Sequence, residues 1–185
     1  QTIEQAKASG KGTALVVSPT LTSEEAYTLV RAAQAIDDSV KLFLGPVPTD
    51  GQDVEFPNPQ AGKPFVQRAE KVPNTNGVKR VLEAMAGDGF KEFGTFVRQA
   101  GEFGAVVLTA NFPSTWVTDD LVDALESTKL ILIDTTTSVL CAKADVVLPS
   151  STFAEKGGSF ENCDGIMQHF DQAIPNQHDS KSEGQ

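Results

Sequence analysis

Apolar and polar positions along the chain alternate between two patterns. Short, largely apolar runs stand at Thr13–Val17, Val40–Leu44, Ala105–Leu108, Leu130–Ile133 and Val146–Leu148. Runs of this kind predict strands buried on both faces. Between them apolar residues recur at helical spacing. Ile3 and Ala6 mark a short helix over Thr2–Ser9, and Ala26, Leu29, Val30 and Ala33 mark another that ends near Ile36. Thr22 or Ser23 offers its N-cap, and Glu24 and Glu25 fall in the first turn, where the helix dipole favours negative charge. Further helices are predicted over Val78–Ala86, Phe90–Ala100 and Trp116–Leu125, with a turn or short helix over Ser138–Lys143. The phenylalanines at 90, 93 and 96 make the apolar side of their helix and are most simply core. Strands alternating with helices predict an α/β fold. The expected form is a doubly wound, mostly parallel sheet flanked by helices, Rossmann-like in layout.

Two stretches break the alternation. Residues 45–77 are rich in Pro, Gly, Asn and Asp. They are expected to form an irregular excursion, packed on a neighbouring domain because Val54, Phe56, Phe65 and Val66 are costly to leave in water. After Pro149 the pattern ends. Ser159–Gln168 is expected to be an irregular hairpin or extended segment, and residues 175–185 a polar, frayed tail. Residues 1–174 then make one domain. Gly87-Asp88-Gly89 reads as a turn between helices.

Charge narrows the range of functions. The 185 residues carry a formal net charge of −10, which argues against nucleic acid as a partner, since its phosphates need a basic face. It also argues against docking on an anionic bilayer. No run approaches the ~18 apolar residues of a membrane span, so no direct membrane insertion is expected. Cys141 and Cys163 are far apart, as are His169 and His178, so no metal site is expected. The first residue is Gln1, and a processed or excised piece of a longer polypeptide is the expectation.

Candidate chemistry follows from the fold. Ligands of open α/β sheets bind outside the carboxyl ends of the strands, at a switch in strand order. The segments expected there are Ser18–Thr20, Gly45–Val47, Ala110–Ser114 and Asp134–Thr137. Asp134 can accept hydrogen bonds from a ribose or a guanine edge, and Thr135 can receive phosphate. Equally, Asp and Thr after a strand often cap the next helix. Neither GxGxxG nor GxxxxGK[ST] is present, so an ordinary dinucleotide fold or P-loop is not supported. Glu155 and Asp164 are candidates for an acid–base pair, with solvated carboxylates as the simpler reading. Ser150 and Ser151 lack a nearby His and are poor nucleophiles.

The most informative segment is Ala144–Gln168. It runs Ala-Asp-Val-Val-Leu-Pro to Pro149, and continues with Glu155, Lys156, Gly158, Ser159, Phe160, Asn162, Gly165 and Gln168. In this order the residues resemble a signature of the molybdopterin-dependent oxidoreductases. A relative of that superfamily is the large iron–sulfur subunit of bacterial NADH:quinone oxidoreductase, which the chain also resembles. Thr22–Ala26, Pro73–Gly77 and Thr109–Pro113 resemble earlier blocks of the same pattern. Asp164 stands where the pattern has Glu, a mild change. Ile166 stands where it has Arg, and isoleucine offers none of the fixed donors of a guanidinium. The amino-terminal cysteine clusters and the molybdenum-ligating residue of the family are absent from this stretch.

The resemblance implies a middle domain of a larger redox protein, with no catalytic residue and no cofactor of its own. This domain would scaffold the iron–sulfur electron-transfer arm of an oxidoreductase subunit like the large iron–sulfur subunit, and the parent would carry the iron–sulfur clusters. Its partners would be other domains of the parent subunit and other subunits of a respiratory complex, cytoplasmic and joined to the membrane through that complex. A second reading is a domain that cradles molybdopterin guanine dinucleotide, as in a formate dehydrogenase. Its cofactor-binding residues would be Ala110, Asn111, Asp134, Thr135, Glu155, Gly158, Ser159, Asn162, Gly165 and Gln168. A third is a free-standing nucleotide- or partner-binding domain.

Overall fold

The computed structural model describes residues 1–58, 60–87, 89–113 and 115–185. Pro59 of the excursion, Asp88 of the expected turn and Ser114 of the Ala110–Ser114 loop lie outside the described residues. Five strands form one parallel sheet: β1 (Thr13–Val17), β2 (Lys41–Leu44), β5 (Ala105–Thr109), β6 (Lys129–Asp134) and β7 (Val146–Pro149). Their order is β2-β1-β5-β6-β7. The chain builds outward from β1 in one direction and then in the other, so the switch in strand order falls between β1 and β5. Two hairpins lie outside this sheet: β3 (Val54–Phe56) with β4 (Phe65–Gln67), and β8 (Gly158–Glu161) with β9 (Met167–Phe170).

Each face of the sheet has its own core, because successive side chains of a strand point to opposite sides. Ala14 and Val16 of β1 share a cluster with Phe43, Phe96, Leu121, Leu130 and Leu140. That face is covered by α4 (Phe93–Gln99), α5 (Asp119–Ala124) and α6 (Val139–Lys143). Leu15 and Val17 point the other way, into a cluster with Ala26, Val30, Leu44, Val78 and Leu82. That face is covered by α2 (Ser23–Ile36) and α3 (Thr75–Met85), with Ile3 of α1 (Thr2–Ala8) against it. The doubly wound α/β architecture is as the apolar pattern predicts. Of the phenylalanine stripe, Phe96 is wholly buried, and Phe93 and Phe90 pack against the two clusters.

The differences have physical causes. Residues 45–77 are not irregular throughout. They contain the β3–β4 hairpin, and Thr75–Gly77 already belong to α3. Three-residue strands are too short to show a period in sequence. The helix expected over Phe90–Ala100 begins only at Phe93, because Lys91 pairs with β2, its N–H donating to Leu42 O and its carbonyl accepting from Leu44 N. The helix expected over Trp116–Leu125 begins at Asp119, where Thr118 Oγ1 accepts from Leu121 N. Residues 175–185 are not a frayed tail. Lys181 O accepts from Ser151 N at 2.9 Å, Asn176 Nδ2 donates to Ser151 Oγ at 2.6 Å, and the Glu183 side chain is fully buried. Composition points to fraying because the tail side chains are polar, but those polar groups meet polar partners left at the end of β7.

β7 is the last strand of the sheet. Val146, Val147 and Leu148 are 37–47% exposed.

Candidate functional site

The carboxyl ends of β1, β5, β6 and β7 meet in one crevice. At the strand-order switch Ser18 Oγ and Thr20 Oγ1 both donate to Ala110 O, at 2.6 and 3.0 Å. Ala110 itself is buried, and its N–H donates to Ile133 O. Asn111 follows with a left-handed backbone, φ 62°, a region that Asn tolerates better than most residues. This turn aims its side chain across the crevice toward Ser150 and Glu183, to both of which Nδ2 donates.

Asp134 ends β6 and is 5% exposed. Its Oδ1 accepts from the N–H groups of Thr135 (2.7 Å), Asn111 (3.1 Å) and Thr136 (3.3 Å). Its Oδ2 is buried with no hydrogen-bond partner among the described residues. Burial pushes the Asp134 carboxyl above its ordinary range, and the three N–H groups oppose that rise. Beside it lies a cavity of about 420 Å³, lined by Thr20, Asn111, Thr135, Thr136, Lys156 and Phe160 among others.

Lys156 reaches into the same corner and is 5% exposed. Its Nζ lies 2.9 Å from Glu25 Oε1 and 3.2 Å from Glu183 Oε2. Glu25 is positioned by a capping box: Thr22 N donates to its Oε2 at 2.9 Å, and its own N–H donates to Thr22 Oγ1 at 3.1 Å. Burial, with the Glu183 charge beside it, pushes the Glu25 carboxyl up to about 7. Burial acts on Glu183 in the same sense, but Lys156, Glu25, Ser150 and Asn111 outweigh it and hold Glu183 below the ordinary carboxylate range. Two buried acids thus flank one lysine, and their environments push their carboxyls in opposite directions, Glu25 up and Glu183 down.

The ten residues proposed from sequence divide into two groups. Ala110, Asn111, Asp134 and Thr135 come together at the crevice. Glu155 is buried beside it, in a short 3-10 turn, where it accepts from Thr152 N (2.7 Å), Thr152 Oγ1 (2.8 Å) and Gln177 N (2.8 Å). The other five lie on the β8–β9 hairpin. Gly158 presses on Thr22, and a Cβ there would come within 2.6 Å of Thr22 Cγ2. Ser159 N donates to Glu24 Oε2 at 2.8 Å. Asn162 Oδ1 accepts from Asp164 N and Ile166 N, Gly165 turns the hairpin with φ 76°, and Gln168 Oε1 lies 3.5 Å from Asn162 Nδ2. Glu155 and Asp164 keep different company, Asp164 standing 3.7 Å from Arg68 in an ion pair.

Sequence reasoning left Glu25, Ser150, Lys156 and Glu183 off the site. Glu25 reads as an ordinary first-turn acid, and Glu183 sits in a stretch with no pattern at all. Lys156 carried a signal as part of the Glu-Lys-x-Gly block. The Pro-Asn-x-x-Gly block also has a physical basis. Asn74 is wholly buried, donating to Leu21 O (2.7 Å) and accepting from Glu161 N (2.7 Å). A Cβ on Gly77 would stand 2.2 Å from Asn74 Oδ1.

The five-stranded parallel sheet with helices on both faces defines a doubly wound, Rossmann-like α/β domain, with this crevice at its switch point. The family model for molybdopterin oxidoreductase matches residues 61–185, more than half of the chain, and the chain belongs to that family. A comparison with curated proteins gave no match. Among the described residues no group of three or more His, Cys, Asp or Glu is placed to hold a metal ion, and no helix is long and apolar enough to cross a membrane.

The residues present fit one end of a pterin guanine dinucleotide. Thr135 and Thr136 border a cavity with room for a ring, and the adjoining Asp134, buried outside its lining, holds an oxygen with no hydrogen-bond partner among the described residues. The phosphate end fits less well while Glu183 is in place, since a second anion at Lys156 would face that carboxylate in a desolvated corner.

Proposed function

We propose that this chain is a scaffolding domain of an oxidoreductase subunit, similar to the large iron–sulfur subunit of NADH:quinone oxidoreductase. In this reading the electron-transfer clusters lie elsewhere in the parent protein, and this domain braces the arm that carries them. Its partners are neighbouring domains and other subunits of a respiratory complex on the cytoplasmic side, and it reaches the membrane only through them. The observation that supports this reading is Glu183. The chain's own carboxylate takes up the donors of Asn111, Ser150 and Lys156 at the mouth of the crevice, so this corner is filled by the protein itself. The exposed Val54, Phe56 and Phe65 of the β3–β4 hairpin give a surface for a neighbouring domain.

A second reading, a domain that binds molybdopterin guanine dinucleotide, is favoured by the orphaned Asp134 Oδ2 and the adjoining cavity. In that case Asp134, Thr135 and Thr136 would hold the guanosine, and the bound group would supply the redox chemistry. Thermal unfolding of the chain with micromolar molybdopterin guanine dinucleotide or GDP separates the two. The scaffold reading expects no change. A ligand present at about a hundred times its dissociation constant stabilises by about 2.7 kcal/mol, and a shift of that size would establish the second reading in place of the first.

A further inference from the structure

The segment around Glu183 is held in a way that a merely capping tail would not need. Lys181 pairs with the chain just beyond β7, its carbonyl accepting from Ser151 N and its N–H donating to Pro149 O. This carries Glu183 over the carboxyl end of the sheet and lowers its side chain into the crevice, where it is fully buried. Its two oxygens are separately satisfied. Oε1 accepts from Asn111 Nδ2 and from Ser150 Oγ (2.6 Å), and Oε2 lies 3.2 Å from Lys156 Nζ. An amide, a hydroxyl and an ammonium on three separate segments therefore converge on one small oxyanion. The approach to this docked position is strained. His178 and Asp179 are consecutive non-glycine residues with left-handed backbones, φ 52° and 58°.

We propose that residues 180–183 form a displaceable strap whose Glu183 carboxylate occupies an anion site, and that a phosphate-type oxyanion competes with it for Asn111, Ser150 and Lys156. The groups facing Glu183 suit this exchange. Lys156 supplies the positive charge, Glu25 on α2 is the acid on its far side, and Asp134 on β6 is the remaining acid nearby. When Glu25 carries a proton, the corner has charge room for an incoming anion once the strap lifts. The left-handed pair at 178–179 relaxes at the same time and offsets part of the lost docking. The exchange concerns the affinity of the corner for anions, and a displaceable Glu183 would cease to favour the scaffold reading over the cofactor-binding one.

The test uses the full chain and inorganic pyrophosphate. By calorimetry, Glu183→Gln should bind pyrophosphate at least tenfold more tightly than the unaltered protein, because the competing charge has gone and the donors remain. GDP on the same variant separates two sources of the anion. Equal affinity indicates the free oxyanion and tighter binding a nucleoside-borne one, and either supports the proposal. No gain for pyrophosphate in a folded variant overturns it. A second measurement needs no substitution. Millimolar pyrophosphate should speed tryptic cleavage after Lys181 in the unaltered protein several-fold over sodium chloride of equal ionic strength. An equal rate in the two salts overturns the proposal, even where the variant fails to fold.

Discussion

Lys156 Nζ stands 2.9 Å from Glu25 Oε1, with both side chains 5% exposed. The contact ties the first turn of α2 to the loop before β8 and closes the crevice from one side. An ion pair so deeply buried gains little over a well-packed apolar pair, but removing one partner strands the other. Lys156→Met should therefore destabilise the chain by about 3–5 kcal/mol, since it leaves two acids without a counter-charge. Urea unfolding at neutral pH measures this, and a loss below ~1 kcal/mol would show that solvent reaches the corner.

The same corner sets a pH dependence. The folded chain holds the Glu25 proton up to about pH 7, whereas an unfolded Glu releases it near ~4.3. Glu25 therefore contributes most below that lower value, and its contribution is lost as pH rises to about 7. Asp134, also raised, acts in the same sense, and Glu183, lowered, acts in the opposite one at acid pH. Glu25→Gln should match the unaltered protein near pH 4 and exceed it at pH 8, by on the order of 3 kcal/mol. Melting temperatures across that range give the comparison. A constant difference at all pH values would mean that Glu25 does not hold its proton.

At Gly158 the prediction is steric. The Cβ of Gly158→Ala would fall 2.6 Å from Thr22 Cγ2 and 2.9 Å from Thr22 Oγ1. Thr22 is the N-cap of α2, so the hairpin cannot move away without disturbing the capping box. Overpacking of this kind costs about 1–3 kcal/mol. Thermal unfolding should show that loss, whereas Gly62→Ala, with open space around it, tests only the cost of its left-handed backbone, φ 67°.

Asp134 serves two roles that substitution can separate. Asp134→Ala strips three N–H groups of their acceptor and should cost about 2–3 kcal/mol. Asp134→Asn keeps an acceptor for them and should cost less, while it replaces the unpartnered Oδ2 with a donor. If a guanine base is bound here, the Asn variant loses that binding yet unfolds almost as the parent does. Chemical denaturation alongside GDP titration distinguishes the two effects.

The apolar runs at Thr13–Val17, Ala105–Leu108 and Leu130–Ile133 announced the parallel sheet, because a strand covered on both faces has no polar side to disguise it. The start of α2 was visible as a cap at Thr22 or Ser23; the structure selects Thr22, whose capping box with Glu25 was not read from the sequence. The β5 and β6 ends of the crevice followed from strand ends alone, which is how Asn111 and Asp134 came to be singled out. The Lys156 side of it did not. Its three charged members are 27 to 158 residues apart in the chain, and what joins them is tertiary packing. A polar tail gives no periodic signal, so nothing in composition separates Glu183 from the exposed residues beside it.

The outer margin of β7 has a practical consequence. Lys181 pairs at its far end, with Pro149 and Ser151, and among the described residues half-exposed Val146, Val147 and Leu148 leave the rest of that strand as the rim of the sheet. A bare, β-branched rim is a template for edge-to-edge growth. Chains purified alone will tend to polymerise along this side, and a lysine introduced at Val147 is the simplest way to keep them dispersed.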